Sequence, residues 1–257
     1  MSDIGAFIWY ELWCTDTARA KDFYAAVVGW TLDDPGNGYV HIQAPDGEFI
    51  GGLMPIRPEM QGARPAWLAY ISVDDVDRSV AAITGAGGAV RMPATEMENV
   101  GRFALVTDPQ GAAFYVMKPQ PPADRPDAES TAFGNAPGHC GWNELATTDA
   151  EAAARFYVEQ FGWELPEPMD MGAMGKYQFV ARGDRTYGAI VRRQNEGQPV
   201  AWLPYFYVPS IAAAKKAIEA NGGRVWMGPH EVPGGDWIVV ASDPQDAPFG
   251  LVGARGE

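Results

Sequence analysis

The chain has 257 residues, of which 47% are hydrophobic and 20% are charged, so it is long enough for one large domain or two of about 120 residues. This hydrophobic content excludes a disordered acidic chain. The net charge of −14 at pH 7 argues against a nucleic acid as partner, because an acidic surface repels phosphate groups.

The amino-terminal segment and the cysteines indicate the expected compartment. No basic segment followed by a long apolar core stands near Met1, and no apolar run reaches the roughly 18 residues that a membrane span needs. Cys14 and Cys140 have neither the spacing of a zinc site nor a disulfide pattern. We therefore expect a cytoplasmic protein with reduced thiols and no membrane partner, and we expect Cys14 to be buried and unreactive.

The first predicted module begins with a strand over Phe7–Thr15, where strand-forming residues alternate loosely. Asp16 is a typical helix N-cap, and apolar residues at helical spacing lead from it to Gly29, so a helix is predicted between the two. Three short strands are predicted after this helix, near Trp30–Leu32, Tyr39–Gln43 and Phe49–Met54.

The same order begins again at the strand Leu68–Val73. A helix is predicted over about Asp75–Ala86, and Gly87-Gly88 ends it. Three strands are predicted next, near Ala89–Met92, Arg102–Thr107 and Ala112–Met117. The first half of the chain therefore contains two modules, about 7–58 and 64–118, and each has the order strand, helix and three strands.

An internal repeat extends this plan to the second half. Between residues 7–30 and 140–163, 10 of 24 positions are identical, and Trp9-Tyr10-Glu11-Leu12 recurs as Trp142-Asn143-Glu144-Leu145. Later in each half, Ala66-Trp67-Leu68 recurs as Ala201-Trp202-Leu203, and Asp108-Pro109-Gln110 recurs as Asp243-Pro244-Gln245. The repeat predicts two further modules, about 139–193 and 199–253, and Thr148-x-x-Glu151 predicts a capping box on the third helix.

The segment 119–138 separates the two halves and is rich in proline, with Pro119, Pro121, Pro122, Pro126 and Pro137. This composition predicts an exposed linker between a first domain at 1–118 and a second at 139–257. We predict an α+β fold of four βαβββ modules. A short sheet with one helix needs a partner module to bury its apolar face, and the sequence leaves open which modules pair.

These paired modules, with an Asp…Phe-Tyr…Gly-Trp helix and an Asp-Pro-Gln turn, resemble the vicinal-oxygen-chelate superfamily. That superfamily includes glyoxalase I, extradiol dioxygenases, fosfomycin-resistance enzymes and bleomycin-resistance proteins, and the chain looks most like its two-domain actinobacterial glyoxylase/hydroxylase group. The resemblance covers nearly all of the chain outside the linker. It implies two tandem glyoxalase/bleomycin-resistance-type domains with curled, cup-shaped mixed sheets.

The resemblance also implies where a metal would bind. In metal-dependent members, His, Glu or Gln side chains on the first and last strands of each module hold a divalent metal ion inside the cup. Carried over by spacing, these positions fall on Trp9, Leu68, Tyr115, Trp142, Leu203 and Gly250, with the others near 51–53 and 188–190. None of these residues is a good metal ligand. We therefore expect no metal and no cofactor at the family positions, although a divalent metal at another place stays open. His41, His139 and His230 are expected on the surface or in loops.

Strand alternation places other side chains on the same face as these positions, because residues two apart on a strand share a face. The candidate catalytic residues are one carboxylate and one phenol per cup: Glu11, Glu144, Tyr70 and Tyr205. The candidate ligand-binding residues are aromatic: Trp9, Trp13, Tyr115, Trp142 and Trp237. A buried glutamate can serve as a general base and a phenol can donate to an oxyanion. Alternatively, these glutamates bond the tyrosines or backbone amides and only fix one module against its neighbour.

The remaining repeated tryptophans are expected to be structural. Trp30 and Trp163 follow the first helix of each half and should lie in the core, whereas Trp67 and Trp202 alternate away from the candidate site and should pack towards a helix.

Two classes of function stay open at this point. The first is a small-molecule-binding protein that acts on or sequesters a small aromatic, carbonyl or cationic metabolite. The second is a metal-dependent or metal-free lyase, isomerase or dioxygenase of the glyoxalase type. A third interpretation is a scaffold whose cups are filled by their own side chains. Whether the protein is an enzyme stays open, and both a monomer and a homodimer are compatible with the duplication.

Overall fold

A computed structural model describes residues 4–36, 38–121 and 128–257. These residues form four modules of the predicted order, and the α+β class is confirmed. The first two modules contain β1 (Phe7–Cys14), α1 (Thr17–Val28), β2 (Thr31–Asp33), β3 (Val40–Gln43), β4 (Phe49–Pro55), β5 (Ala66–Ser72), α2 (Val76–Gly85), β6 (Ala89–Met97), β7 (Gly101–Thr107) and β8 (Ala113–Pro119). The last two contain β9 (Cys140–Thr147), α3 (Ala150–Phe161), β10 (Met169–Asp170), β11 (Lys176–Arg182), β12 (Arg185–Arg192), β13 (Ala201–Val208), α4 (Ile211–Ala220), β14 (Arg224–Glu231), β15 (Trp237–Ser242) and β16 (Pro248–Gly253).

The ends of the helices follow the capping residues. The Asp16 side chain accepts from the Arg19 amide at 3.0 Å, and Gly29 ends α1 with a φ of +86°, where a side chain would be strained. The predicted capping box on α3 is wrong by one residue, because Asp149 rather than Thr148 is the N-cap and accepts from the Ala152 amide at 3.0 Å. The N-cap therefore moves by one residue, and the amide that the cap satisfies is that of Ala152 rather than that of Glu151.

The strands form two open mixed sheets of eight strands each, which confirms the expected cup-shaped sheets. Their orders are β2-β3-β4-β1-β5-β8-β7-β6 and β10-β11-β12-β9-β13-β16-β15-β14. In each module the first strand runs parallel to the last, as β1 does to β4, and the following strands are antiparallel. Side chains two apart on the first strand of a module therefore face the same way, as the alternation argument requires.

Compact units of the chain do not coincide with its sequence halves. As far as its residues are described, the first unit consists of Met1–Ile8, Ala69–Ser130 and Asn143–Trp202. The second unit consists of Trp9–Leu68, Thr131–Trp142 and Leu203–Glu257. The second and third modules therefore share one unit, and the first and fourth modules share the other, which answers the question of pairing that the sequence left open.

The predicted linker 119–138 is described only in part. Its residues 122–127, including Pro122 and Pro126, lie outside the described residues. The extent of the linker, and the boundaries 1–118 and 139–257 on either side of it, stay predictions.

A buried series of side-chain hydrogen bonds in the first unit explains three of the repeated motifs. The Trp202 indole donates to the Tyr157 hydroxyl at 2.9 Å, and that hydroxyl donates to the Asp108 carboxylate at 3.2 Å. The carboxylate also accepts from the amides of Gln110 and Ala112, both at 2.9 Å. Burial raises the pKa of Asp108 and of Tyr157. The three residues come from three of the repeated motifs, so these motifs are structural.

The second unit contains the matching series of hydrogen bonds. The Trp67 indole donates to the Tyr24 hydroxyl at 3.0 Å, and the Tyr24 hydroxyl lies 3.4 Å from the Asp243 carboxylate. The predicted packing of Trp67 towards a helix is thus confirmed, since Tyr24 lies on α1. Trp30 is also buried and stacks on Tyr24 with ring centroids 5.5 Å apart, as expected of a core residue. Trp163 packs in the same way on Tyr157 in the first unit.

Candidate functional site

In the second unit, Glu11 lies in a row of residues across three strands. Glu11 of β1 and His41 of β3 are both paired with Gly52 of β4. The ring of Tyr39 lies over Gly52, and a Cβ atom at position 52 would come within 2.2 Å of that ring. The hydroxyl of Tyr39 accepts a hydrogen bond from the Trp9 indole at 2.8 Å. An aromatic ring of the protein itself therefore fills the space above the middle of the row.

Glu11 is buried, with 3% of its surface exposed. Its Oε1 atom accepts a hydrogen bond from the indole N–H of Trp13 at 2.8 Å. This bond confirms that Glu11 and Trp13 share a face of β1, as alternation predicted. It provides the glutamate with a partner on its own strand, whereas the structural alternative named tyrosines or backbone amides that link two modules.

In the first unit, Glu144 lies in the equivalent row. Glu144 of β9 is paired with Ala189 of β12, and Ala189 is paired with Phe179 of β11. Glu144 is half-buried, and its Oε2 atom accepts a hydrogen bond from the Tyr177 hydroxyl at 2.9 Å. The rings of Tyr177 and Phe179 lie 5.6 Å apart. A carboxylate and a phenol therefore meet here, but the phenol belongs to a residue that the sequence did not select.

Tyr177 could have been found by its place in the strand. It stands two residues before Phe179, just as Tyr39 stands two residues before His41. The repeat is weak over these strands, so no motif pointed to Tyr177. The pairing of each row shows that the two tyrosines are equivalent.

Each of the two predicted tyrosine partners belongs to a different unit from its glutamate. Tyr70 is in the first unit, whereas Glu11 is in the second, and Tyr70 stacks on Tyr115 with ring centroids 4.1 Å apart and planes 14° apart. Both rings are buried. Tyr205 is in the second unit, whereas Glu144 is in the first. The predicted pairs Glu11 with Tyr70 and Glu144 with Tyr205 stay predictions.

Tyr205 covers Gly250, which is one of the expected family metal positions. Its buried ring lies over Gly250, where an added Cβ atom would come within 2.3 Å of the ring. In the same unit Trp237 is half-buried, and the guanidinium of Arg255 lies 4.7 Å from the centre of its ring. This cation–π contact leaves Trp237 partly covered by the chain itself. Trp142, also in the second unit, is half-buried.

The expected family metal positions do not fit a metal ion. Two of them, Gly250 and Gly52, lie beneath the rings of Tyr205 and Tyr39. Among residues 4–36, 38–121 and 128–257, no group of three or more His, Cys, Asp and Glu side chains could hold a metal. Hard and borderline cations require oxygen or imidazole ligands, which tryptophan, leucine and glycine side chains cannot supply.

His139 was expected on the surface or in a loop. It lies in the loop that precedes β9, and it is buried with 3% of its surface exposed. Its Nε2 atom lies 2.9 Å from the Asp46 carboxylate, and its Nδ1 atom lies 2.5 Å from the Thr131 carbonyl oxygen. These two contacts compensate for the burial of a polar ring.

Both cysteines are buried free thiols. Burial raises the pKa of Cys14 and of Cys140 to about 12, and the carboxylates of Asp243 and Asp16 add to the effect at Cys14. The expectation of unreactive thiols is therefore supported by their surroundings.

Two surface concavities lie in the first unit, with volumes of about 460 and 280 Å³. Arg192 and Arg193 line the larger one, and Gln110 and Arg155 line the smaller one. Neither is lined by a predicted site residue, and the chemistry gathered around Glu144 is the better guide to a site.

Within the described parts of the chain, no helix is both long and apolar enough to span a membrane.

Comparison with known proteins adds to this picture. The family model of the Glyoxalase/Bleomycin resistance protein/Dioxygenase superfamily matches residues 6–116 and 136–249. The chain is 34% identical over 249 residues to "Putative glyoxylase CFP32" of Mycobacterium bovis, which covers 95% of this chain and 93% of that protein. It is 30% identical over 272 residues to "Anthracycline biosynthesis protein DnrV" of Streptomyces peucetius, which covers 98% of this chain and 94% of that protein.

Solved structures share the fold at lower identity. The homoprotocatechuate 2,3-dioxygenase of Brevibacterium fuscum has a TM-score of 0.69 at 17% identity, over 97% of this chain and 80% of that chain. The 2,3-dioxygenase LapB of Pseudomonas sp. KL28 has a TM-score of 0.66 at 15% identity, over 98% of this chain and 93% of that chain. At these identities the likeness concerns the fold alone. The family model and the two relatives show that the chain belongs to the glyoxalase/bleomycin resistance protein/dioxygenase superfamily.

Proposed function

We propose that this protein binds a small planar molecule beside Glu144, and that it does so without a metal ion at the positions that metal-dependent members use. The observation that carries the proposal is the pair of Glu144 and Tyr177, with an O–O distance of 2.9 Å, on a half-buried strand face. A carboxylate held by a phenol among aromatic rings is a small set of polar groups in an apolar setting, which is typical of ligand sites.

The matching face around Glu11 has a structural role in this proposal. Glu11 is almost fully buried, its carboxylate is bonded to Trp13, and Tyr39 covers the neighbouring glycine. A ligand there would have to displace two aromatic rings of the chain. In this proposal Glu11 has a structural role and Glu144 contacts the ligand.

A second candidate function is a metal-free lyase or isomerase, and the same hydrogen bond favours it. Glu144 would take a proton from a carbon next to a carbonyl group, and Tyr177 would donate to the oxygen on which negative charge develops. The proton on Glu144 would then return to a neighbouring carbon of the substrate, so that atoms and charge balance. No cofactor is required for this step.

A binding panel tests the first proposal. Calorimetric titration of the purified protein with small aromatic, carbonyl and cationic compounds should find at least one ligand, and Glu144→Gln should weaken its binding by about tenfold because a charged acceptor becomes a neutral one. The matched control is Glu11→Gln, which should leave the affinity unchanged. If no compound binds, or if both variants bind every ligand as the native protein does, the proposal is wrong.

The enzymatic candidate needs a separate measurement. Exchange of the acidic hydrogens of any bound carbonyl compound with deuterium, followed by NMR, should be accelerated by the native protein and not by Glu144→Gln. Addition of a chelator should leave the rate unchanged. A rate that falls with chelator would instead indicate a metal site away from the family positions.

A further inference from the structure

The larger concavity of the first unit gathers positive charge. Its volume of about 460 Å³ lies within the range of roughly 300–1,000 Å³ that small-molecule sites occupy. Its lining carries the two guanidinium groups of Arg192 and Arg193 and a single carboxylate, that of Glu196. The concavity is therefore positive overall, although the whole chain has a net charge of −14. A positive concavity on an acidic protein attracts anions.

The two arginines are peculiar to the third module. Arg192 of β12 is paired with Thr147 of β9, and the Arg193 amide donates to the Thr147 carbonyl oxygen at 2.8 Å. In the first module, Pro55 and Ile56 make the same two backbone contacts with β1. The module therefore folds in the same way without guanidinium groups at these positions, so the arginines are not required by the fold.

The guanidinium of Arg192 is available to a ligand. Its side chain is exposed, and within the parts of the chain that the structure describes no group bonds to it. The backbone at this position is held, because the Arg192 carbonyl oxygen accepts from Gln194 Nε2 at 2.8 Å. An anion could thus bind to this guanidinium without breaking a bond within the protein.

The guanidinium of Arg193 is held in place by the turn that follows β12. Its Nη1 atom donates to the carbonyl oxygens of Glu196 at 3.2 Å and Gln198 at 3.4 Å. The turn is also bonded to itself, since the Gln194 amide donates to Gln198 Oε1 at 2.8 Å and the Gln198 amide donates to Asn195 Oδ1 at 3.0 Å. A group that is oriented before binding loses less entropy when a ligand arrives.

We propose that Arg192 and Arg193 bind a small organic anion in this concavity, and that they contact its phosphate or carboxylate oxygens. A guanidinium presents its N–H groups in a fixed fork that matches these oxyanions. The lining is largely polar and includes Thr148 and Asn195, so a compact and strongly charged molecule suits it better than an extended apolar one. This inference goes beyond the proposed function and concerns a second site.

Pyrophosphate and citrate are the two probes, because both are compact and carry several negative charges. Calorimetric titration at low ionic strength should find one anion per chain for at least one of them, and the probe that binds more tightly identifies the preferred oxyanion. Arg192→Gln and Arg193→Gln should each weaken this binding at least tenfold, because a charge-assisted hydrogen bond is lost. If neither probe binds to the native protein, the inference is wrong.

The matched control is Arg185→Gln, which removes an exposed arginine from the first position of the same strand. It should leave the affinity unchanged. An equal loss for this variant would show that the anion responds only to the general charge of the protein, which contradicts the inference. Circular dichroism checks folding, and Arg192→Gln is the cleaner variant because the Arg193 side chain also bonds to the turn.

Chemical modification of arginine locates the site without any substitution. At ten times its Kd, the bound probe should slow the reaction of Arg192 and Arg193 with phenylglyoxal by about tenfold, because about a tenth of the sites then stay free. Arg185 should react at its original rate, and peptide mass spectrometry measures all three. Equal protection of the three arginines, or protection of none, would overturn the inference.

Failure of this inference can be distinguished from failure of the proposed function, because no probe or substitution in these experiments involves Glu144. If planar compounds bind in a manner that depends on Glu144 while neither anion binds, only the anion site is wrong. If an anion binds through Arg192 and Arg193 while no compound depends on Glu144, only the proposed function is wrong.

Discussion

The face around Glu11 and the face around Glu144 have the same backbone register and different side chains. In both, a glutamate on the first strand of a module is paired with a small residue on the last strand, Gly52 or Ala189. Around Glu11 the rings of Tyr39 and Trp13 accompany a buried glutamate, whereas around Glu144 the Tyr177 ring and Ala146 accompany a half-buried one. A duplicated backbone can thus surround the same glutamate with different side chains.

This difference depends on very few side chains. The indole at position 13 donates to Glu11 from the same strand, whereas position 146 carries a methyl group, which cannot donate a hydrogen bond. Gly52 lets the Tyr39 ring approach the strand, which a Cβ atom would prevent. The identity of the repeated glutamate therefore says little about its role, and the neighbours decide it.

The largest effect is expected from Gly52→Ala. The added methyl group would lie within 2.2 Å of the Tyr39 ring, and overpacking of this kind costs about 1–3 kcal/mol. The matched change in the other face, Ala189→Gly, removes a methyl group and should cost about 1 kcal/mol. Urea unfolding of both variants measures the two losses. A loss for Gly52→Ala no larger than that for Ala189→Gly would show that the first face is not filled.

A smaller effect is expected from the glutamates themselves. Glu11→Gln should lower the free energy of unfolding by about 1–2 kcal/mol, because a buried charge-assisted hydrogen bond from Trp13 is weakened. Glu144→Gln should cost less than about 1 kcal/mol, since Glu144 is half-buried and water can replace part of what is lost. Equal losses in urea unfolding would remove the distinction between the two glutamates.

The buried aspartates provide a comparison in which the two units should agree. Burial raises the folded pKa of Asp108 and Asp243 above the usual value of about 3.9. Their contribution to stability is therefore present at pH 4 and below, and is lost as the pH rises through the folded pKa. Relative to Asp108→Asn or Asp243→Asn, the native protein should therefore lose stability as the pH rises from 4 to 7.

Guanidinium unfolding of each variant at several pH values checks this expectation. The two aspartates should behave alike, because the buried series of hydrogen bonds in the two units match residue by residue. If one substitution changed the pH dependence of the free energy of unfolding and the other did not, the two buried series of hydrogen bonds would differ in strength.

The smallest effect concerns the thiols. With a pKa of about 12, on the order of one thiol in ten thousand is ionised at pH 8, so Cys14 and Cys140 should both resist a thiol reagent in the native protein. Both should react fully in denaturant, where the burial is lost. Rapid reaction of one cysteine in the native protein would indicate that its strand opens locally.

Much of the fold could be predicted because its signals are local. The N-cap Asp16, the helix-ending Gly29 and the alternating strand Phe7–Cys14 each depend on a few neighbouring residues. The core role of Trp30 and the packing of Trp67 towards a helix followed from alternation and spacing. The partner of Glu144 could not be predicted, because Tyr177 reaches it only through the pairing of β11, β12 and β9.

The sequence by itself determined the order of the elements, the duplication and the family, since periodicity, caps and repeated motifs are written along the chain. Tertiary structure alone decided that the first module shares a unit with the fourth and the second with the third. It also decided that the repeated Asp108 and Tyr157 form a buried structural link rather than a site. The physical reason is that hydrogen bonds and ring contacts between distant segments depend on their distance in space, which local patterns do not encode.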